Sequence, residues 1–406
     1  MNRTPDPARS RSRWVFMIVA LVLIALNLRL AITSTSALIT ALTASGALTD
    51  VTVVIVPAVP TAVFAVAGLS TARLSARLGV ERTIGLGMVV LTAGLLLRAI
   101  PSPWVVVAGT VIATSGLAVV NILLPAVVRA HFGRHIGPIT TAYSTAMSIG
   151  AALAAATAVP IASALGSASM GLAVWAAPAV IAVAVWAFAM PLSRPAARPD
   201  AGAPLAPASG PRRRDPLPAG TWLLAGFFAM QSLLSYILMG WLPSIATSAG
   251  LSAERAGILL GVMMAIGAPA TVLIVPLTRT PIRMRVGFTL IATATIVGVA
   301  GLTFAPTALP EVWAACLGLG MCAFPFALVL IAGIGRNAAD SARASSVIQS
   351  VGYTLATLGP LAAGAIHQAT GSWTLVLGLL ACGALAQLAL GLLLTRTTAA
   401  RVTGAE

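Results

Sequence analysis

The stretch "WVFMIVALVLIALNLRLAITSTSALITALTA", residues 14–44, decides the fold. It is longer than the ~20 residues that a helix rising 1.5 Å per residue needs to cross a hydrocarbon layer ~30 Å thick. It is apolar nearly throughout, with Asn27 and Arg29 in its middle. Similar runs recur along all 406 residues, which are 59% hydrophobic and 8% charged with a mean hydropathy of +1.00. Soluble domains carry about 25% charged residues, so the chain reads as an all-α membrane protein. A membrane β-barrel would show ten-residue segments of alternating polarity, and none occurs.

The net charge of +15 does not indicate a nucleic-acid partner, because the basic residues are spread between apolar runs instead of forming one soluble patch. All 24 are Arg, and with the abundant Ala this points to a high-GC bacterial genome. Cys316, Cys322 and Cys382 lie in apolar segments without metal-ligand spacing, and the three histidines form no ligand pair with a carboxylate. No metal and no cofactor are expected. The opening "MNRTPDPARSRSRW" has the charge of a signal peptide, but the apolar stretch after it is too long and is interrupted by Arg29. It reads as an uncleaved first span.

Apolar runs punctuated by Gly, Pro, Arg or Asp give twelve spans, at 14–44, 51–72, 82–100, 104–130, 138–160 and 168–190, then 221–247, 255–277, 285–304, 311–333, 344–366 and 372–395. Between the two sets, 191–220 holds eight prolines and five arginines and reads as a linker. The expected organisation is a tail over 1–13, six-helix bundles over 14–190 and 221–395, and a second tail over 396–406. Two halves of nearly equal length suggest duplication, and Gly150-Ala-Ala-Leu153-Ala154 in span 5 echoes Gly352-Tyr-Thr-Leu355-Ala356 in span 11. Placing both termini and the linker in the cytoplasm puts 21 arginines inside, leaves Arg98 and Arg255 at the outer face, and keeps Arg29 within span 1. The expected location is the inner (cytoplasmic) membrane of a bacterium.

Twelve spans in two sets of six resemble the major facilitator superfamily. The loop "LSTARLSARLGVER" after span 2 is similar to that superfamily's signature loop, keeping Arg77, Gly79 and Arg82. Ala76 stands where the family usually has Asp, a carboxylate that normally helps latch the halves. A finer resemblance, to the cyanate/2-nitroimidazole transporter branch, rests on "ALNLRLAI" in span 1, "NILLPAVVRAHF" in span 4, "QSLLSYILMGWLPSI" in span 7 and "VIQSVGYTLATLGPLAAG" in span 11, in that order. It covers nearly the whole chain apart from the tails and linker. It implies a secondary transporter, and helices 1, 4, 7 and 10 flanked by 2, 5, 8 and 11 around the cavity. It brings no residue-level substrate site.

A charge at the centre of a spanning helix costs about 2.5–3.5 kcal/mol on insertion scales and normally faces a cavity or a partner. Arg29 lies some 15 residues, or ~22 Å of helix, from either end of its span. The nine acidic residues all lie in tails, in loops or at the first residue of a span. Its counter-charge is therefore backbone, water or an anionic, electron-rich solute. The alternative is a structural arginine that snorkels along "TSTS" at 33–36. The same lack of an intramembrane carboxylate leaves two routes for coupling: protons move with the solute, or the protein is a facilitator or exchanger.

Asn27, Asn121, Gln231 and Gln349 fall on cavity or flanking helices, and each reads either as a solute ligand or as glue between helices. Gln387, on the peripheral span 12, reads as glue. Tyr236 lies deep in span 7, and Tyr353 is one turn beyond Gln349 on the same helix face. With Arg29 and the four amides they complete the candidate binding set. Arg77, Gly79, Arg82, Trp241 and Pro243 are candidate gating residues, with an interfacial belt tryptophan as the other reading of Trp241. Ala142, Ala146 and Gly150 read as packing, as do Phe324, Pro325 and Phe326. The expected protein is a monomeric transporter in the lipid bilayer, moving a small anionic or polar heterocyclic solute by alternating access. Its rivals are efflux of drug-like compounds with Arg29 structural, a membrane receptor and a lipid-modifying enzyme. The last would need an acid, base or metal cluster at one membrane face, and none is found.

Overall fold

The computed structural model describes residues 7–132, 135–189, 217–335 and 338–402. The first six residues, linker positions 190–216 and the last four residues lie outside the described residues. Span 1 is one helix, Pro7–Ala44, so helical structure begins within the segment expected as a tail. Spans 3, 4 and 5 are Val80–Leu97, Pro103–Phe132 and Ile136–Ala164. Spans 7, 8, 9, 11 and 12 are Thr221–Ser248, Ala253–Ile274, Pro281–Phe304, Ala338–Thr370 and Thr374–Val402.

Three spans are broken, each at a proline. Span 2 runs Asp50–Ile55, a 3₁₀ turn Val56–Ala58 containing Pro57, then Val59–Leu78 with Pro60 in its first turn. Span 6 divides into Ala168–Ala173 and Ala176–Ala189, ahead of Pro178. Span 10 divides into Pro310–Gly320 and Ala323–Ala332, ahead of Pro325. In each case proline removes an N–H and its ring crowds the carbonyl four residues earlier.

Alternate traversal places the turns at 45–49, 98–102, 165–167, 249–252, 305–309 and 371–373 on one face, which is poor in arginine. The described start of span 1, the described end of span 12 and the helix ends flanking the remaining connections lie on the opposite, arginine-rich face. Duplication shows in these turns. Gly46 and Gly250 hold positive φ at the ends of spans 1 and 7, and Gly166 and Gly371 do so at the ends of spans 5 and 11. Thr49 then caps span 2 as Ser252 caps span 8.

Packing repeats in the same way. Span 1 packs on 5 and 6 as 7 packs on 11 and 12, and 4 packs on 2 and 3 as 10 packs on 8 and 9. Spans 3 and 6 pair as 9 and 12 do. Between halves, 5 meets 8, 2 meets 11 and 1 meets 7, a set that maps onto itself when the halves are exchanged. The Gly150–Gly352 echo falls on equivalent crossings. A Cβ at Gly150 would overlap the Leu26 carbonyl of span 1, and one at Gly352 would overlap the Phe228 ring of span 7.

Eleven helices among the described residues are long and apolar enough to cross a membrane. Span 11 is the twelfth by length, but Asp340, Arg343, Ser345, Ser346, Gln349 and Ser350 crowd its first half. It packs on span 7 and faces span 2 of the other half, so much of it meets protein rather than lipid.

The halves meet closely on the arginine-poor side. Gly240 of span 7 approaches Pro57, Gly364 of span 11 approaches Val54, and Gly257 and Gly261 of span 8 approach the carbonyls of Ala155 and Ala152. Gln368 donates a hydrogen bond to the backbone carbonyl of Asp50 across the same junction.

Candidate functional site

Arg29, Tyr236 and Tyr353 converge. Each lies some 12 to 17 residues, or about 18–26 Å of helix, from the arginine-poor end of its span. The charge of Arg29 acts on both phenols, and the two tyrosine rings meet edge to face at 6.4 Å between centroids. Phe64 of span 2 lies 5.9 Å from the Tyr353 ring, bringing the other half into the group. Phe228, two turns before Tyr236, meets Tyr353 at 5.3 Å and Phe324 of the broken span 10 at 6.0 Å.

The guanidinium of Arg29 forms no hydrogen bond or ion pair with another described residue. It is half-buried, as are Tyr236, Tyr353 and Phe64. These residues come from spans of both halves, and each keeps partial exposure. A free cation walled by aromatic faces can hold a flat, electron-rich group. The guanidinium supplies forked N–H donors, the phenols supply O–H donors and acceptors, and the rings supply stacking surface.

The four amides divide. Asn27 points at span 6, donating to the carbonyls of Leu23 at 2.8 Å and Pro178 at 3.3 Å, and is 1% exposed. Two residues apart on a helix, it and Arg29 project to nearly opposite sides. Gln231 is buried and donates to Ser232 Oγ at 2.5 Å. Gln349 is half-buried, donates to Ser345 Oγ at 2.8 Å, and shares the helix face of Tyr353. Asn121 is half-buried on span 4, and its amide meets no described hydrogen-bond partner. Gln387 is buried on span 12.

Trp241 is 3% exposed, which corrects the belt reading. Its Nε1 donates to the Pro360 carbonyl at 2.9 Å, its ring meets Trp373 at 5.3 Å, and its edge lies against Gly364 where spans 2, 7 and 11 join. Pro243 is buried beside it. At the other face Arg77 and Arg82 are exposed, and Gly79 makes the one-residue turn between spans 2 and 3 at φ 84°. Near the vacant carboxylate position, Glu81 meets His131 Nε2 at 3.1 Å, and its backbone carbonyl accepts from Trp186 Nε1 at 3.0 Å.

Sequence reasoning missed Phe64 and Phe228 and set Phe324 aside as packing. Aromatic residues in apolar spans give no sign of which side they face. Phe326, by contrast, is buried against Phe288 within span 9's packing, as expected. Arg98 was expected at the outer face and is instead fully buried within the N-terminal half.

The sequence profile of the Major Facilitator Superfamily matches residues 15–360. The chain is 30% identical over 345 residues to the 2-nitroimidazole transporter of Escherichia coli (strain K12), covering 82% of this chain and 83% of that protein. It is 24% identical over 295 residues to the cyanate transport protein CynX of the same organism, covering 72% and 74%. Among solved structures, the nucleoside transporter NupG (D323A mutant) superposes with a TM-score of 0.74 at 12% identity, covering 92% of this chain and 98% of that one.

Proposed function

The chain belongs to the major facilitator superfamily and is a multi-pass membrane transporter, not an enzyme; on that premise, we propose that it moves a small, flat, anionic or polar heterocyclic solute by alternating access. The observation that carries this reading is the Arg29 guanidinium, without a hydrogen-bond or ion-pair partner among the described residues and close enough to act on Tyr236 and Tyr353, whose rings meet each other and, through Tyr353, Phe64 of the other half. An oxyanion or nitro group would take the guanidinium donors, and a conjugated body would stack on the rings. Gln349 and Asn121 extend the binding set. Asn27 ties span 1 to span 6, whereas Gln231 bonds only its neighbour Ser232 on the same helix, and Gln231 Oε1 and Asn27 Oδ1 accept no hydrogen bond. The names of the relatives, a nitroimidazole transporter and a cyanate transporter, support the same solute class.

With the arginine-rich face in the cytoplasm, the close arginine-poor junction would shut the site off from the outside. Opening that junction means separating Val54 from Gly364 and Pro57 from Gly240 while the arginine-rich ends of the bundles approach. No carboxylate joins Arg29 among the described residues, which leaves protons moving with the solute, facilitated diffusion or exchange as the routes of coupling.

A thermal-shift panel on purified protein tests the solute class. Cyanate, nitrate and 2-nitroimidazole are expected to include at least one saturable stabiliser. Tyr353→Phe should weaken that ligand about fivefold, the worth of roughly one lost hydrogen bond. Stabilisation by lipophilic cations alone would overturn the reading in favour of drug efflux.

Orientation has its own test, in a background with Cys316, Cys322 and Cys382 replaced. Thr307→Cys should react with an impermeant maleimide on intact cells, whereas Leu205→Cys should react only after the cells are broken. The reverse pattern would invert the topology.

A further inference from the structure

Spans 8, 9 and 12 bring a group of arginines to the arginine-rich face of the C-terminal half. Span 8 runs out in the 3₁₀ turn Val275–Arg279, and Thr280 caps span 9 by accepting from the Arg283 N–H at 3.3 Å. Arg285 lies two residues further on, and Arg396 stands at the matching end of span 12, which packs along span 9. Arg279, Arg283, Arg285 and Arg396 are all exposed, and none pairs with a carboxylate among the described residues. The one described acid at this face of the C-terminal half is Asp340, which begins span 11 and so belongs to a helix that packs on span 7 rather than on span 9.

One arginine of the group is held in place. Arg285 Nε donates to Thr395 Oγ1 at 3.2 Å, and that hydroxyl donates to the Leu392 carbonyl at 2.7 Å. Thr395 is buried, so a fixed point inside the bundle anchors an exposed guanidinium. Arg285 Nη1 and Nη2 bond no described residue, and Arg396 follows directly on the threonine that holds Nε. Two like charges at one crossing repel, and the paired oxygens of a phosphodiester fit the free N–H groups of a guanidinium fork.

Apolar side chains continue the surface toward the membrane interior. Ile282, Val286 and Leu290 recur every four residues on span 9 and are exposed, with Arg283 and Arg285 on either side of the row. Leu392 and Leu393, one turn deeper than Arg396, are exposed on span 12. Charge at the membrane surface above bare apolar helix is the order in which a phospholipid presents headgroup and chains. The equivalent crossing of spans 3 and 6 differs. There Glu81 in the first turn of span 3 meets His131, and its carbonyl accepts from Trp186 of span 6.

We propose that the span 9–span 12 crossing is a binding site for an anionic phospholipid, its phosphodiester held by Arg285 and Arg396 and its acyl chains lying on the exposed apolar rows of the two helices. Arg279 and Arg283 add charge at the rim. The lipid ties the end of span 12 to the start of span 9. This site is separate from Arg29 and does not depend on which solute Arg29 binds.

The test is the melting temperature of the purified full-length protein in neutral detergent, titrated with phosphatidylglycerol, with phosphatidylcholine of the same acyl chains, or with glycerol phosphate. Phosphatidylglycerol at a hundredfold excess over its dissociation constant should raise the melting temperature by on the order of 3 °C, and the other two should not. Each arginine removed should weaken the lipid about fivefold, so Arg285→Gln with Arg396→Gln should lose most of the rise. Arg73→Gln with Arg129→Gln removes two exposed charges from the same face of the N-terminal half and should keep it. Arg396→Gln alone decides the matter if the double variant does not fold, because its guanidinium bonds no described residue. An equal rise with phosphatidylcholine would overturn the proposal, as would a rise reproduced by glycerol phosphate, kept in full by Arg396→Gln, or lost equally in the N-terminal pair.

Discussion

In Arg29→Gln, a solute that stabilises the parent protein should lose most of its thermal shift at the concentration that saturates the parent, while the purified variant still melts cooperatively. Among the described residues the guanidinium has no hydrogen-bond or ion-pair partner to abandon, so its removal leaves no orphaned carboxylate or acceptor there. A charge-assisted hydrogen bond contributes about 1.5–3 kcal/mol, so the affinity should fall roughly 10- to 150-fold. Arg29→Lys keeps the charge but gives up the forked geometry, and should fall between the two. Apparent affinity and ligand-free melting temperature, measured on the same preparations, separate this from a structural arginine. Unchanged affinity with lowered basal stability would sink the anion-site reading.

Gly150→Leu is expected to abolish recovery of folded, monodisperse protein. The Cβ position is already occupied by the Leu26 backbone of span 1, and backbone cannot swing aside as a side chain can. Spans 1 and 5 would have to separate, and Thr33 Oγ1 would lose its 3.0 Å bond to the Ala151 carbonyl. Overpacking in well-packed interiors costs typically 1–3 kcal/mol and more against rigid neighbours. At the equivalent crossing Gly352→Ala meets the Phe228 ring, which also touches Tyr353. That variant should fold but bind solute more weakly. Gly378 has nothing within 4 Å of its Cβ position and is exposed, so Gly378→Leu is the control that should fold normally. Normal yield and melting of Gly150→Leu would show that spans 1 and 5 are not so closely packed.

The arginine asymmetry, the apolar runs and the proline-rich segment between two sets of six were enough to read an all-α fold in two halves. Each is a one-dimensional property that the bilayer imposes on any chain crossing it. The pairing of Arg29 with Tyr236 and Tyr353 was also legible, because polar residues in apolar runs are rare enough to stand out. Span 11 was read as a span despite its polar first half, and that polarity goes with its packing on spans 7 and 2.

What composition cannot encode is rotation about each helix axis. Asn27 and Arg29 are two residues apart, and only packing against span 6 turned one toward Pro178 and left the other toward the tyrosines. Phe64 and Phe228 look like any other apolar residues until spans 2 and 7 are placed. Arg98 sits at a span end where water would be the simplest neighbour, and it was the absence of a side chain at Gly109, on another helix, that let it fold inward. Hydropathy specifies which residues cross the membrane, because lipid acts on each span separately. Which of them face one another is decided by contacts between spans distant in sequence, and those exist only in the assembled bundle.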